Sequence, residues 1–324
     1  MKKILFFLFP IIISFQSFSQ KPEDFGYRHF TIKFKNDNVD ILIKSRNGEE
    51  NIKKPLFLFC QGSLPHPLII LDKDGKPYSI APFKTDSLEK YYHIAFISKP
   101  YIPLIAQESV LDNYNFIDST AHTFPLEYIK RNVIDYYVER NIAVINFLKQ
   151  QKWIDAKKII IAGHSEGSNL VAQIAYKCKD VKYVIYASGN ALGRIMAIIA
   201  NDRQENLHVN FKQWQSIVDS PYVINNKGDA YKATYGFSYP PPIYFLEKLK
   251  IPVLVCYGTK DPSALLNDYL QVEMIRQKKK NFSFYVYDGL EHNFFGLKPD
   301  GSFDENQFHW DEVVNDWLTW LKKN

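Results

Sequence analysis

Three residue types fall in the chain order that acyl transfer through a serine requires. Gly163-His164-Ser165-Glu166-Gly167 follows the apolar run Ile159-Ile160-Ile161-Ala162 and leads into the helix-compatible stretch Asn169–Tyr176. A short β-branched run, a Gly-x-Ser-x-Gly turn and a helix together place a serine hydroxyl on a sharp turn above a sheet. A side chain at either glycine would meet the neighbouring strand or helix as the backbone turns. The helix N-terminus behind Ser165 favours developing negative charge. The same five residues also describe a plain glycine-rich turn with an exposed serine, so partners decide between the readings.

A serine hydroxyl needs a base, and the base needs a third group to orient it. His292 lies in Asp288-Gly289-Leu290-Glu291-His292-Asn293-Phe294, directly after the strand-like run Phe282–Tyr287. His29 and His93 lie within strand-like runs, His66 and His122 precede the turn, His164 is the serine's neighbour, His208 lies in an insertion and His309 enters the last helix. Asp261 follows Val253-Leu254-Val255-Cys256-Tyr257-Gly258, between serine and histidine as the order requires, with Pro262 suited to a first helical position. Capping that helix is the alternative role for Asp261. Asp288 and Glu291 sit too close to His292 on one tight loop, and Gly228-Asp229 is a weaker candidate acid.

The elements that must carry these residues alternate. His29–Lys35 and Val39–Ser45 predict a hairpin. Leu56–Cys60 predicts a strand buried on both faces, with a loop at Gln61-Gly62-Ser63 after it. A short strand at Leu68–Leu71 and another at His93–Ser98 follow, and 99–125 is long and irregular. Helical periodicity runs through Tyr128–Gln151, and Val181–Ala187 is a further strand. Between Ala191 and Pro242 the alternation stops: helices are expected at Ala191–Ala200 and Phe211–Val218, with a stiff Pro240-Pro241-Pro242 link. Then come strand Pro252–Tyr257, helix Ala264–Lys278, strand Phe282–Tyr287 and helix Gln307–Leu321. The alternation predicts an α/β fold, a mostly parallel central sheet with helices on both faces.

Composition narrows the class. The formal charge of +5 over 324 residues is too weak to suggest nucleic acid, and it drops by two if Lys2 and Lys3 are removed. Their removal is expected: Lys2-Lys3, the apolar run Ile4–Phe15 and Ser17-Phe18-Ser19 form a signal peptide over residues 1–20. The run is short for a bilayer span, so export to the periplasm or medium is expected, with no stable membrane insertion after cleavage. Three cysteines in an exported chain leave at least one thiol unpaired within it. Cys60 and Cys256 read as small buried hydrophobes that would pair only if their strands were neighbours. No Cys/His spacing resembles a zinc site.

Gly-His-Ser165-Glu-Gly, Tyr-Gly-Thr-Lys-Asp261-Pro and Gly-Leu-Glu-His292-Asn-Phe, in that order, resemble the α/β-hydrolase superfamily over roughly residues 55–322. The nearest branch is that of dienelactone hydrolases, acyl esterases and prolyl-oligopeptidase-like enzymes. The resemblance implies a single domain over 21–324 with a cap insertion at about 190–245, and no metal or organic cofactor. It also implies an oxyanion hole: the Glu166 N–H with a donor from Gln61-Gly62-Ser63, Ser63 ahead of Gln61. Many relatives carry His-Gly where this chain has Gln-Gly. Glu166 complements the helix dipole and would disfavour anionic acyl groups near Ser165. The aromatics of the insertion, Trp214, Tyr235 and Phe237 foremost, either line a substrate site or pack the cap. The resulting expectation is a serine hydrolase that cleaves a small ester or acyl substrate, carboxylesterase ahead of peptidase or amidase. A binding protein that keeps the fold without catalysis is the reading from another class.

Overall fold

Uninterrupted apolar runs build the centre of the molecule. The computed structural model describes residues 20–79, 81–223 and 230–324. The leader expected over residues 1–20 lies outside the described residues except for Gln20, as do Gly228 and Asp229. One sheet contains β1 (Tyr27–Phe34), β2 (Asp37–Lys44), β3 (Lys54–Cys60), β4 (His93–Ile97), β5 (Ile154–His164), β6 (Val181–Ala187), β7 (Val253–Gly258) and β8 (Phe282–Tyr287). Across the sheet the order is β1-β2-β4-β3-β5-β6-β7-β8. β1 and β2 form an antiparallel hairpin, β2 runs antiparallel to β4, and the remaining neighbours are parallel.

Parallel neighbours need crossovers, and helices supply them. Between strands lie α1 (Leu126–Arg131), α2 (Ile134–Leu148), α3 (Glu166–Lys177), α4 (Arg194–Gln204), α5 (Phe211–Asp219), α6 (Tyr231–Ser238), α7 (Pro242–Leu246) and α8 (Ala264–Arg276), and α9 (Trp310–Lys323) follows the last strand. Side chains alternate across each strand, so the sheet feeds two cores. Leu56, Leu58, Ile159 and Ile161 join the core under α2 and α3. Phe57, Phe59, Ile160 and Ala162 join the one under α9, with Trp310, Trp317 and Trp320. A leucine, isoleucine or phenylalanine of this kind contributes about 1.5–3 kcal/mol by leaving water, so both faces are apolar in the middle of these strands and the charged residues of β5 fall in its exposed first half.

The sequence expectations hold for the strands and shift at several joints. The helix expected over 128–151 is broken at Asn132-Val133, where Val133 is extended (φ −134°, ψ 144°). The break lets Arg131 reach the buried Asp37, donating from Nε and Nη2 at 3.0 Å each. Tyr101 and Tyr136 donate to the same carboxylate at 2.7 and 2.8 Å. One buried anion thereby ties β2 to the segment after β4. Residues 99–125 are not wholly irregular, since Ile105–Gln107 pairs with Ile69–Leu71, which also pairs with Pro77–Ser79. Pro242 opens α7 rather than extending a link. The last helix begins at Trp310, because Phe303–Phe308 pairs with Phe295–Leu297 in a hairpin the sequence reading missed. Asp300-Gly301 marked its turn, with Gly301 at φ 83°.

All three cysteines are free and buried. Cys60 and Cys256 face opposite cores, so they do not approach each other. Burial raises both thiols to about 12, which makes them packing groups.

The glycines around Ser165 are required by backbone contact. A Cβ on Gly167 would lie 2.0 Å from the Cys60 carbonyl oxygen, and one on Gly163 would lie 2.2 Å from that of Gly167. Gly167→Ala should destabilise the protein by about 2–4 kcal/mol, read as a lower urea midpoint. Gly62→Ala, whose methyl would meet nothing closer than 3.6 Å, is the control and should leave the midpoint nearly unchanged.

Candidate active site

Strand β5 ends at His164 and α3 begins at Glu166, so the whole reversal falls on Ser165. Its backbone sits at φ 56°, ψ −122°, a conformation that costs a non-glycine residue about 1–3 kcal/mol and persists only where surroundings enforce it. Here Ser165 N–H donates to Ala187 O at 3.0 Å and its carbonyl accepts from Ser168 N–H at 3.0 Å. The Ser168 hydroxyl lies 2.7 Å from both Gly163 O and Ala187 O, stitching β5, α3 and β6 together.

The structure brings Ser165, His292 and Asp261 into one line. His292 Nε2 is 2.9 Å from Ser165 Oγ, and His292 Nδ1 is 2.9 Å from Asp261 Oδ2. A carboxylate accepts only, so Nδ1–H donates to Asp261, and in the neutral ring Nε2 accepts from the serine hydroxyl. Asp261 is buried, and its Oδ1 accepts from Ser263 N–H at 2.8 Å. Ser263 is the N-cap of α8 and no side chain caps it, so Asp261 does not take the capping role; its other oxygen faces the histidine. Burial pulls the His292 pKa down, but the hydrogen bond and charge of Asp261 outweigh it, and the net shift is upward.

The histidine loop is fixed from beneath. A Cβ on Gly258 would lie 2.0 Å from Leu290 O, and Lys260 N–H donates to that carbonyl at 2.8 Å. Glu291 Oε1 accepts from the N–H groups of Asn293 and Phe295 at 2.7 and 3.0 Å. Asp288 accepts from Thr259 Oγ1 instead of turning to His292. His164 adds a contact the sequence reading missed: its Nε2–H donates to the His292 carbonyl at 2.9 Å. Its ring packs against Trp310, centroids 4.9 Å apart. Burial, and the proximity of His292, lower the His164 pKa to about 3, so it is a neutral donor at ordinary pH.

Glu166 is buried and held between two cations, Lys99 Nζ at 3.5 Å and the Arg194 guanidinium. The expectation that it repels anionic acyl groups is corrected by this pairing, because its charge is compensated inside the protein. Arg194 stacks in turn on Phe237, 4.3 Å from the ring centroid. Through that contact the segment between β6 and β7 reaches the first turn of α3.

A cavity of about 430 Å³ opens over Ser165, and Gln61, Ser63, His66 and His292 are in its wall. A methyl on Gly62 would lie 4.0 Å from Ser165 Oγ, so the Gln61–Ser63 peptides pass close to the serine hydroxyl. Tyr128 OH steadies this loop by donating to Ser63 O at 2.9 Å. Trp214, Tyr235 and Phe237 do not line the cavity. Trp214 and Tyr235 stack on each other, centroids 6.2 Å apart, and Phe237 is buried under Arg194. Short amphipathic helices in the insertion use their aromatics to cover one another. His66, read only as preceding the turn, stands in the cavity wall instead. Its Nε2 is buried without a hydrogen-bond partner among the described residues, and burial, helped by the charge of Lys99, lowers its pKa to about 4. Nothing in its sequence surroundings signalled that placement.

Among the described residues no group of three His, Cys, Asp or Glu side chains is arranged to hold a metal ion. No helix of the described residues is long and apolar enough to cross a membrane.

The model of the prolyl oligopeptidase family matches residues 126–324, which carry all three aligned side chains. The chain belongs to this family. It is thus an α/β-hydrolase of the serine hydrolase superfamily, as its motifs and its sheet order indicate. Est1E from Butyrivibrio proteoclasticus is similar in fold, with 14% identity, a TM-score of 0.56, and 91% of this chain covering 99% of that one. A putative dienelactone hydrolase from Klebsiella pneumoniae shares 13% identity, with a TM-score of 0.53 and coverage of 91% and 96%. The acylaminoacyl peptidase of Pyrococcus horikoshii shares 15% identity at a TM-score of 0.53, but this family member spans only 37% of that chain while 82% of its own length is covered. A comparison with curated protein sequences finds no match.

The two neighbouring histidines should titrate in opposite directions. By NMR, His292 should protonate above the ordinary value of about 6.5, whereas His164 should stay neutral to about pH 3. Asp261→Asn should pull the His292 titration down. An unmoved His292 titration in that variant would disconnect the pair.

Proposed function

We propose that the chain is an exported serine esterase working through an acyl-enzyme. The observation that carries this reading is the line Asp261 Oδ2, His292 Nδ1, His292 Nε2, Ser165 Oγ, with both contacts at 2.9 Å. As Ser165 Oγ attacks the acyl carbonyl, His292 takes the hydroxyl proton and Asp261 stabilises the imidazolium. The tetrahedral oxyanion forms against the Glu166 N–H and the N–H of Ser63 or Gln61, where loss of one donor costs about 2.7–4 kcal/mol of transition-state stabilisation. His292 then gives its proton to the leaving alkoxide. A water, deprotonated by His292, releases the acid and restores Ser165.

The raised His292 pKa sets the acid limb. A protonated imidazole cannot accept the serine proton, so kcat/KM falls as pH drops through that pKa. The ester reading is supported by the likeness in fold to nearly the whole of Est1E, a protein also seen with ferulic acid bound. No second folded unit accompanies the sheet among the described residues. The family's peptidases favour amide cleavage as the second reading. Export is supported by the basic and apolar pattern of the first 20 residues.

A fluorophosphonate probe should label the wild type and not Ser165→Ala; equal labelling of both, or of neither, would remove Ser165 as nucleophile. Asp261→Asn should lower kcat by about 10⁴-fold with little change in stability. Short acyl esters should be cleaved at least about tenfold faster, by kcat/KM, than aminoacyl amides, and the reverse order would establish the peptidase reading. Intact-mass analysis of protein recovered from the cell envelope or medium should give a chain starting near Gln20 or Lys21. Recovery of only the full-length chain would argue against export.

A further inference from the structure

The cavity at Ser165 does not end at the serine. An open groove of about 1340 Å³ lies beside it, and His66, Pro82 and Asn293 are in the walls of both. The two spaces therefore adjoin across these residues, with Asn293 next to His292 in the chain. The groove is larger than the ~300–1,000 Å³ of a site for one drug-sized ligand. It is too large for a short acyl ester alone.

Its walls are rings. Tyr78 and Tyr114, both exposed, face each other edge-on with centroids 6.2 Å apart. On another wall stand Phe303 and Phe308, also exposed, packed on Phe295 at 6.1 and 5.1 Å. Leaving several large rings clustered in water is unfavourable, and such a patch marks a binding surface. Much of the polar lining is already engaged within the protein. Lys84 N–H donates to Asp311 Oδ1 at 3.0 Å, Lys44 Nζ donates to Phe25 O at 3.2 Å, and Thr85 donates to Glu89. A hydroxyl-rich sugar would have to compete for these partners. A flat apolar group needs only the rings. Of the other candidates for this task, Trp214 and Tyr235 stack on each other and Phe237 is buried under Arg194.

We propose that this groove is the enzyme's substrate subsite for a bulky, ring-bearing apolar group attached through the scissile ester. The hairpin Phe295–Phe308 and the Tyr78–Tyr114 pair are its specificity-determining walls. The proposal rests on Ser165 being the nucleophile.

The test uses the full chain and separates the two readings. First, binding of N-benzyl-2-naphthamide, an amide that mimics a bulky aryl ester, is measured by calorimetry on Ser165→Ala. It is repeated with Phe303→Ser and Tyr114→Ser added, one from each wall. The groove proposal expects Kd to rise at least about tenfold. Second, kcat/KM is measured with benzyl 2-naphthoate, ethyl acetate and a monoacetylated xylose. The ratio of the naphthoate ester to ethyl acetate should fall at least about tenfold in the wall variant. An unchanged Kd and ratio would overturn the groove proposal while leaving the hydrolase intact. A larger loss on the acetylated sugar than on the naphthoate would overturn it in favour of a sugar subsite. Binding that responds to the wall residues, with no ester turned over by the wild type, would keep the groove and remove the esterase reading.

Discussion

Backbone passes against backbone around Ser165 with no room for a Cβ, and much of the site depends on that approach. Gly167 touches the carbonyl that ends β3, and Gly163 touches Gly167. These contacts hold the first turn of α3 against the ends of β3 and β5. The chain has a single residue in which to reverse, and Ser165 takes the strained conformation that lifts its side chain clear of the sheet. The same approach sets the Gln61–Ser63 loop beside the hydroxyl. The position of the serine and the position of its surrounding peptides are therefore one constraint.

A second approach of the same kind fixes the partner residues. Gly258 at the end of β7 lies against the backbone of Leu290-Glu291. The loop bearing Asp261 and the loop bearing His292 are thus packed on each other before any side-chain hydrogen bond is counted. His164 then links the two approaches, since the residue before the serine donates to the carbonyl of the histidine. Electrostatics finishes the arrangement. Asp261 raises the His292 pKa against the pull of burial, while His164, in a similar setting without a carboxylate partner, is held neutral. Two adjacent imidazoles are separated in behaviour by which of them faces an anion.

Buried charge sits close to this site without entering the line of Ser165, His292 and Asp261. Glu166 stands between Lys99 and Arg194, and removing one partner of such a buried pair typically costs about 3–5 kcal/mol. The pair ties the start of α3 to the end of β4 and to α4. The segment between β6 and β7 thus reaches the helix that follows Ser165 through Arg194. Its exposed counterpart is the groove beside His66 and Asn293, lined by rings from a late hairpin and from earlier in the chain.

The sequence by itself determined the sheet, the turn and the chain order of Ser165, Asp261 and His292. Those features are written in local rules: apolar runs for strands buried on both faces, glycines where backbones touch, and residues placed just past strand ends. The hairpin at Phe303–Phe308 was hidden because its strand alternates weakly and runs straight into a helix start. His66, His164 and the pairing of Glu166 were illegible for another reason. Each depends on a partner far along the chain, and a histidine or glutamate carries no local mark of what it will be buried against. Tertiary structure alone decided which aromatics face solvent beside the serine. Trp214 and Tyr235 stacked on each other and Phe237 was buried under Arg194, whereas Tyr78, Tyr114, Phe303 and Phe308 came to line one groove from segments far apart in the chain.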